Sequence, residues 1–363
     1  MADYASRCTK TQARMTAEGV DAFLVSPSSD LLYLSGCTLK PSERMTVMAL
    51  RREGRPTLMV PSLEASNVAW LAPDFDILPW SDPQDPSAML KEILGAGEGQ
   101  TLAVSSQLWA SQLLQLQQAF TGARFVPGSQ LLDGLRIIKD AEELELMAAV
   151  SAMGDRAFEK LLTMRIEGLT EAQVAARLGN FMMDEGFESL DFRIVGSGEN
   201  GAIPHHSANE RLIKSGDPIV LDFGGTYKGY FSDMTRTIHV GQPTDEFRKV
   251  YKIVLRAQAS AIAAIHLGVD SVAVDAAARD IIAEAGYGKY FIHRTGHGIG
   301  LDVHEQPPVG QTGNTALLEG MVFSVEPGIY LPGRFGVRIE DVVAITAQGV
   351  RVLSESPRDL ICV

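Results

Sequence analysis

Residues 294–305 read RTGHGIGLDVHE, which places His297 and His304 seven residues apart, with Gly296, Gly298 and Gly300 around the first. His293 stands immediately before, so three of the chain's 7 histidines fall within twelve positions. Glycine weakens regular elements and is used where backbone or ligand must approach closely. A metal or catalytic site would use that property. A polar loop with chance histidines would read the same way, so the rest of the chain has to supply partners.

The partners are acids in apolar surroundings. In LDFGGTYKGYFSDMTRT, Asp222 and Asp233 flank a glycine-containing turn. A turn centre between Tyr227 and Lys228 would set the two carboxylates opposite each other on one face of a hairpin. Opposed carboxylates repel unless a cation neutralises them. Ile219, Val220, Leu221 and Phe223 mark the first strand as buried. Glu326 follows the apolar run MVFSV, and Glu340 lies in GVRIEDVVAIT. Glutamate is seldom buried without a partner or a metal. Four strand-borne acids and one glycine-flanked histidine therefore form a candidate ligand set: Asp222, Asp233, His297, Glu326 and Glu340. Four carboxylates and one imidazole suit two divalent ions such as Mn²⁺, Co²⁺ or Zn²⁺, and the charges balance. Two such ions roughly 3.5–4 Å apart activate a water and clamp an oxyanion, which is hydrolytic chemistry.

The elements that must position these residues divide the chain. A length of 363 residues suggests two domains. In the first part DAFLVS, MTVMAL, TLMVP and TLAVSS read as buried strands, with helical patterns at 62–71 and 107–120 between them. This alternation predicts an α/β domain with a mixed sheet over 1–130. SDPQDPS (81–87) reads as a proline-rich loop. The turn-rich segment 121–136 is the expected boundary, and an α+β domain follows over 136–363. There, Asp140 with Glu143 and Thr170 with Gln173 each predict a capping box that opens a helix. Two further helices are expected in DEFRKVYKIVLRAQASAIAAIHLG and SVAVDAAARDIIAEAG. Strands are expected in DPIVLDFGG, YFSDMTRTIHV, GMVFSVEPGIY and RIEDVVAIT.

Composition excludes some partners. The net charge of −13 argues against nucleic acid and anionic membranes and suits a protein that holds cations. No apolar stretch approaches the roughly 20 residues of a membrane span, and the N-terminus lacks the apolar core of a secretory signal. Cys8, Cys37 and Cys362 have no metal-ligand spacing and read as free thiols of a cytoplasmic protein.

IPHHS, DFGGTYKGYFSDMTRT, HRTGHGIGLDVHEQP, SVEPGIY and VRIEDVV together resemble the M24 metallopeptidases: aminopeptidase P, prolidase and methionine aminopeptidase. Creatinase shares their pita-bread fold. The resemblance runs from about residue 136 to 363. The preceding domain looks like the creatinase/prolidase N-terminal domain of the proline-specific branch. The resemblance implies that Asp222 chelates one ion, that Asp233 and Glu340 bridge two, and that His297 and Glu326 complete the second. Mn²⁺ is the first choice, with Co²⁺ or Zn²⁺ as alternatives. Glu326 would also accept a proton from the attacking water. His205, His293 and His304 match histidines that hold the substrate or stabilise its intermediate. Arg338 matches a catalytic position that orients the ligands. Tyr330 matches another orienting position and counts among the substrate-binding residues. His206, beside His205, is expected to be a bystander, while His239 and His266 read as structural.

The implied reaction is hydrolysis of an N-terminal Xaa-Pro bond in peptides with proline at the second position. A dipeptidase needs a cation for the substrate's carboxylate, and in prolidase-like members an arginine follows the HE-x-P step. This chain has Pro308 there. The expectation therefore leans to aminopeptidase P, acting on Xaa-Pro-Yaa, with prolidase as the alternative. A creatinase-like hydrolase and a non-catalytic binding protein are more distant alternatives, and the full ligand set argues against both. The branch resemblance also implies a homodimer.

Overall fold

Short β-branched runs separated by helices build a six-stranded sheet in the first half of the chain. The computed structural model describes residues 3–95 and 98–363, and the chain divides into two compact units, 1–136 and 137–363. The first unit runs α1 (Tyr4–Glu18), β1 (Ala22–Val25), α2 (Ser29–Ser35), β2 (Val47–Arg51), β3 (Thr57–Pro61) and α3 (Ala65–Val68). It continues through β4 (Asp76–Trp80), α4 (Pro86–Leu94), β5 (Thr101–Val104), α5 (Ala110–Ala119), β6 (Arg124–Pro127) and α6 (Ser129–Arg136). The strand order is β4-β3-β2-β1-β5-β6. The β1–β2 and β2–β3 pairs are antiparallel and the other three parallel, so the sheet is mixed as expected.

Three details differ from the sequence reading. The helical pattern at 62–71 shortens to α3 and one 3₁₀ turn over Ala69–Leu71. The boundary segment 121–136 carries β6 and α6 and lies wholly within the first unit. Its turn residues punctuate two short elements. Helix α1 was not legible because its buried face is Arg7, Cys8, Thr11 and Met15, half of it polar.

The second unit opens with α7 (Ala141–Leu162) and α8 (Glu171–Glu185), and both predicted capping boxes are formed. Next come β7 (Ser189–Ser197), β8 (Pro218–Tyr227), β9 (Tyr230–His239), α9 (Asp245–Ala263) and α10 (Ser271–Glu284). The remaining strands are β10 (Gly296–Gly298), β11 (Glu305–Val309), β12 (Val322–Val325), β13 (Gly328–Leu331), β14 (Phe335–Arg338), β15 (Asp341–Thr346) and β16 (Gly349–Val352). They form a three-stranded sheet β7-β8-β9, a five-stranded sheet β11-β10-β12-β15-β16, and the hairpin β13-β14. Helices α7 and α8 share one apolar core with the first sheet, and α9 and α10 share another with the second. No helix among the described residues is long and apolar enough to cross a membrane.

Candidate metal centre

Two hairpins and one glycine-flanked strand bring the acids together. In the β8–β9 hairpin the two-residue loop is Lys228-Gly229, both in the left-handed region at φ 48° and 80°. Paired positive φ values suit a tight hairpin whose twist matches the strands. The turn centre therefore lies one residue later than expected. Asp222 faces Thr235, and Asp233 faces Gly224. The aspartates are diagonal neighbours rather than directly opposed. They still share a face, because moving the turn centre by one residue moves the pairing by two and side-chain direction alternates with period two. Gly224 is needed there: a Cβ on it would stand 2.4 Å from the Phe192 ring.

Glu326 and Glu340 are not within strands, as the sequence suggested, but in the breaks between them. Val325 pairs with Asp341 on one side of the break, and Gly328 pairs with Arg338 on the other. The register is the same on both sides, so Glu326 and Glu340 occupy facing positions in an interrupted hairpin. The interruption lets both carboxylates turn to the same cavity as the aspartates.

Strand β10 brings His297 between two neighbours. A Cβ on Gly296 would lie 1.8 Å from the Ser324 carbonyl oxygen, and one on Gly298 would lie 2.0 Å from that of Gln306. The glycines thus let β10 press against the adjacent backbones. The His297 backbone N–H donates to Ser324 Oγ at 3.1 Å, and Ser324 Oγ donates to Glu326 at 3.3 Å. His297 Nδ1 lies 3.1 Å from the Gly298 carbonyl. A carbonyl only accepts, so Nδ1 carries the hydrogen and Nε2 keeps a free lone pair, the arrangement of a metal ligand. Nε2 is 3.3 Å from Glu326 and 3.7 Å from Asp233.

These side chains line a cavity of about 410 Å³, within the range of small-molecule sites. Asp233, His297 and Glu340, all buried, offer ligand atoms within 4.8 Å of one another. Asp222 and Glu326 line the same cavity. Burial and the charges of Glu340, Asp222 and Glu326 hold Asp233 well above the usual carboxylate range. Burial and the charges of Glu326 and Asp222 do the same to Glu340. Burial also pushes Glu326 up to about 7, against the pull of Arg338. Burial, with a smaller contribution from His304, lowers His297 to about 3 and keeps its imidazole neutral. Asp222 Oδ1 is buried without a hydrogen-bond partner. An orphaned carboxylate oxygen, carboxylates that cannot all ionise together, and a neutral imidazole fit a site for divalent cations.

A buried network holds the acids in place. Arg338 donates to Asp222 Oδ2 at 2.5 Å, to Thr235 Oγ1 at 3.0 Å and to the Tyr330 hydroxyl at 2.7 Å. Thr235 Oγ1 in turn donates to Glu340 at 2.6 Å. His293 Nδ1 donates to the Arg294 carbonyl, so its Nε2 accepts from the Tyr330 hydroxyl at 2.8 Å. Burial, then Arg338, lowers His293 to about 4, which keeps it neutral for that role. Tyr330, counted among the substrate-binding residues, makes the contacts of the orienting position also expected of it and is not among the residues that line the cavity. Its hydroxyl is buried between His293 and Arg338, behind the cavity wall.

His205, His293 and His304 all reach the cavity. The His304 ring meets His297 edge to face at 4.1 Å. His206 turns away to the buried Glu171 at 2.7 Å and ties down the loop that carries His205. His239 is buried against Phe247. Sequence reasoning missed Thr235, Ser324 and Arg294. Thr235 has its acidic partner 105 positions away, Ser324 links Glu326 to a histidine 27 positions away, and Arg294 was passed over inside the histidine motif.

Residues 145–347 match metallopeptidase family M24, and residues 7–138 match the creatinase/prolidase N-terminal domain. The chain is 39% identical over 364 residues to the probable dipeptidase PepE of Mycobacterium tuberculosis, covering 99% of this chain and 96% of that one. Among solved structures it is similar to a recombinant prolidase from Thermococcus sibiricus, with TM-score 0.95, 38% identity and full coverage of both chains. It is also similar to the X-Pro aminopeptidase of Thermotoga maritima, with TM-score 0.86, 33% identity and 99% of each chain covered.

Proposed function

The chain belongs to metallopeptidase family M24, and on that premise we propose that it is a metal-dependent Xaa-Pro dipeptidase, a prolidase. The observation that carries the hydrolytic part is the convergence of Asp222, Asp233, His297, Glu326 and Glu340 on one cavity. These five would hold two divalent ions, with Mn²⁺ the first choice and Co²⁺ or Zn²⁺ as alternatives. Ions held there would lower the pKa of a water and polarise the scissile carbonyl. Glu326, a carboxylate in the cavity where that water would stand, would take up its proton. His205 and His304, both exposed at the cavity, position the peptide and donate to its carbonyl oxygen, while the neutral His293, whose Nε2 accepts from Tyr330, shapes the pocket wall beside them. Arg338 keeps Asp222 in place.

The lean to aminopeptidase P gives way to the alternative. Relatives named dipeptidase or prolidase match at 33–40% identity and make up most of the similar proteins, and the X-Pro aminopeptidase matches at 33%. Pro308 remains the one feature that favours an enzyme open to longer Xaa-Pro-Yaa peptides, because proline cannot pair with a carboxylate. The complete ligand set supports a peptidase over a metal-free hydrolase or a binding protein. A cytoplasmic homodimer is part of this reading, from the free thiols and the family resemblance.

The test is kcat/KM of metal-free protein reloaded with Mn²⁺, Co²⁺ or Zn²⁺, on an Xaa-Pro dipeptide and on an Xaa-Pro-Yaa tripeptide. Preference for the dipeptide is expected. Preference for the tripeptide would make it an aminopeptidase, and cleavage of neither with any metal would sink the peptidase reading.

A further inference from the structure

A free dipeptide brings a carboxylate into a cavity lined by four acids, in a chain of net charge −13. That anion needs a cation on the side away from the ligand set. Two arginines line the cavity. Arg338 is fully engaged by Asp222, Thr235, Tyr330 and the Pro204 carbonyl. Arg294 is exposed, and among the described residues its guanidinium has no hydrogen-bond or ion-pair partner.

We infer that Arg294 receives the free carboxylate of the substrate's proline, in place of the arginine that Pro308 replaces. The inference rests on the dipeptidase reading above.

The backbone that carries Arg294 is pinned on both sides. Its own carbonyl accepts from His293 Nδ1 at 2.7 Å, and Arg279 donates to the His293 carbonyl at 2.8 Å. Asp275, held by Arg279, accepts from the Thr295 backbone N–H at 3.0 Å and hydroxyl at 2.8 Å. Only the side chain is left without a structural task. Its place relative to Pro308 follows from register. Pro308 faces His297 across β10 and β11, and the Arg294 side chain lies over Gly310, where an added Cβ would stand 2.9 Å from Arg294 Cβ. The Arg294 side chain thus starts beside Gly310, two residues past the position from which the missing arginine would have projected, and lines the same cavity. A planar guanidinium matches a carboxylate with two parallel hydrogen bonds. A longer peptide has an amide at that point and gains nothing from the cation. The lean drawn from Pro308 is thereby reconciled with a dipeptidase.

The experiment compares an Xaa-Pro dipeptide with its C-terminal amide, Xaa-Pro-NH₂, on the metal-loaded wild type, Arg294→Ala and Arg294→Lys. Inhibition by L-proline and by prolinamide gives a parallel binding readout. The wild type should favour the acid over the amide by roughly 10- to 100-fold, the worth of a charge-assisted hydrogen bond. In Arg294→Ala that ratio should fall to near one, with the change carried by KM, and L-proline should lose its advantage over prolinamide. Arg294→Lys should retain part of the ratio. An Arg294→Ala enzyme that keeps the wild-type ratio overturns the inference alone, as does one that loses acid and amide hydrolysis equally. A wild type that cleaves neither substrate overturns the dipeptidase reading and the inference with it.

Discussion

Glu326 and Glu340 stand opposite each other where the hairpin from β12–β13 to β14–β15 is interrupted. Residues that face each other across a hairpin share a face, so both carboxylates turn the same way. The break frees both carboxylates to meet Asp233, and Thr235 fixes Glu340 from the other hairpin. The cost is a concentration of like charge that water does not relieve.

That charge makes stability depend on pH in a metal-dependent way. Asp233, Glu340 and Glu326 are raised above the unfolded values of 3.8, 4.5 and 4.5, Glu326 to about 7. The folded, metal-free protein therefore holds more protons than the unfolded chain, and these groups make stability fall as pH rises. His293 and His297 are lowered to about 4 and about 3, and His239 and His304 are lowered too, so they make stability rise with pH until the unfolded histidines, at 6.5, have lost their protons, by about pH 7.5. Above that the acids set the slope. Calorimetry of metal-free protein should give a lower Tm at about pH 8.5 than at about pH 7.5, and added Mn²⁺ should raise Tm more at the higher pH. A metal-free Tm that climbs over this interval would show that the acids are not crowded as described.

Lys139 donates to Glu305 at 2.9 Å, with only 2% and 8% of the two side chains exposed. Glu305 also accepts from the backbone N–H groups of Leu301 and Asp302, and so shapes the loop that carries His304. Lys139→Met leaves a buried carboxylate without its cation and should cost about 3–5 kcal/mol. Urea unfolding should show this as a lower midpoint at unchanged slope. Lys139→Met combined with Glu305→Gln should cost less than the sum of the single changes. Strict additivity would mean that the pair is not coupled.

Tyr330→Phe removes the one hydroxyl shared by Arg338 and His293. It leaves a buried donor and a buried acceptor unsatisfied, worth about 1–3 kcal/mol of stability. His293 loses its orientation while the five ligands keep theirs. Expected are a roughly 10- to 100-fold loss in kcat/KM, in the range of outer-shell changes, and unchanged metal content by elemental analysis. Loss of metal in step with activity would place Tyr330 in ligand support instead.

The residues of the candidate site were legible because the signals that carry them are local. Apolar neighbours marked Asp222, Glu326 and Glu340 as acids in buried segments, and each proved partly or fully shielded at one cavity. Both capping boxes could be read because a cap and its partner are three residues apart. The shared face of Asp222 and Asp233 survived an error in the turn centre, since strand alternation depends only on parity.

What tertiary structure alone decided are the relationships across distance. Thr235 and Glu340 are 105 positions apart, and Arg338 and Asp222 are 116. No periodicity links such pairs; they meet because two sheets and a broken hairpin close on one another. The same holds for Tyr330, which the resemblance marked as an orienting position and whose partners, His293 and Arg338, only the fold brings to it. Residue types and short spacings determined which groups this protein has for its chemistry. Long-range register and packing decided which of them face the cavity and which stand behind it, because a side chain's partners are set by the backbone that folds against it.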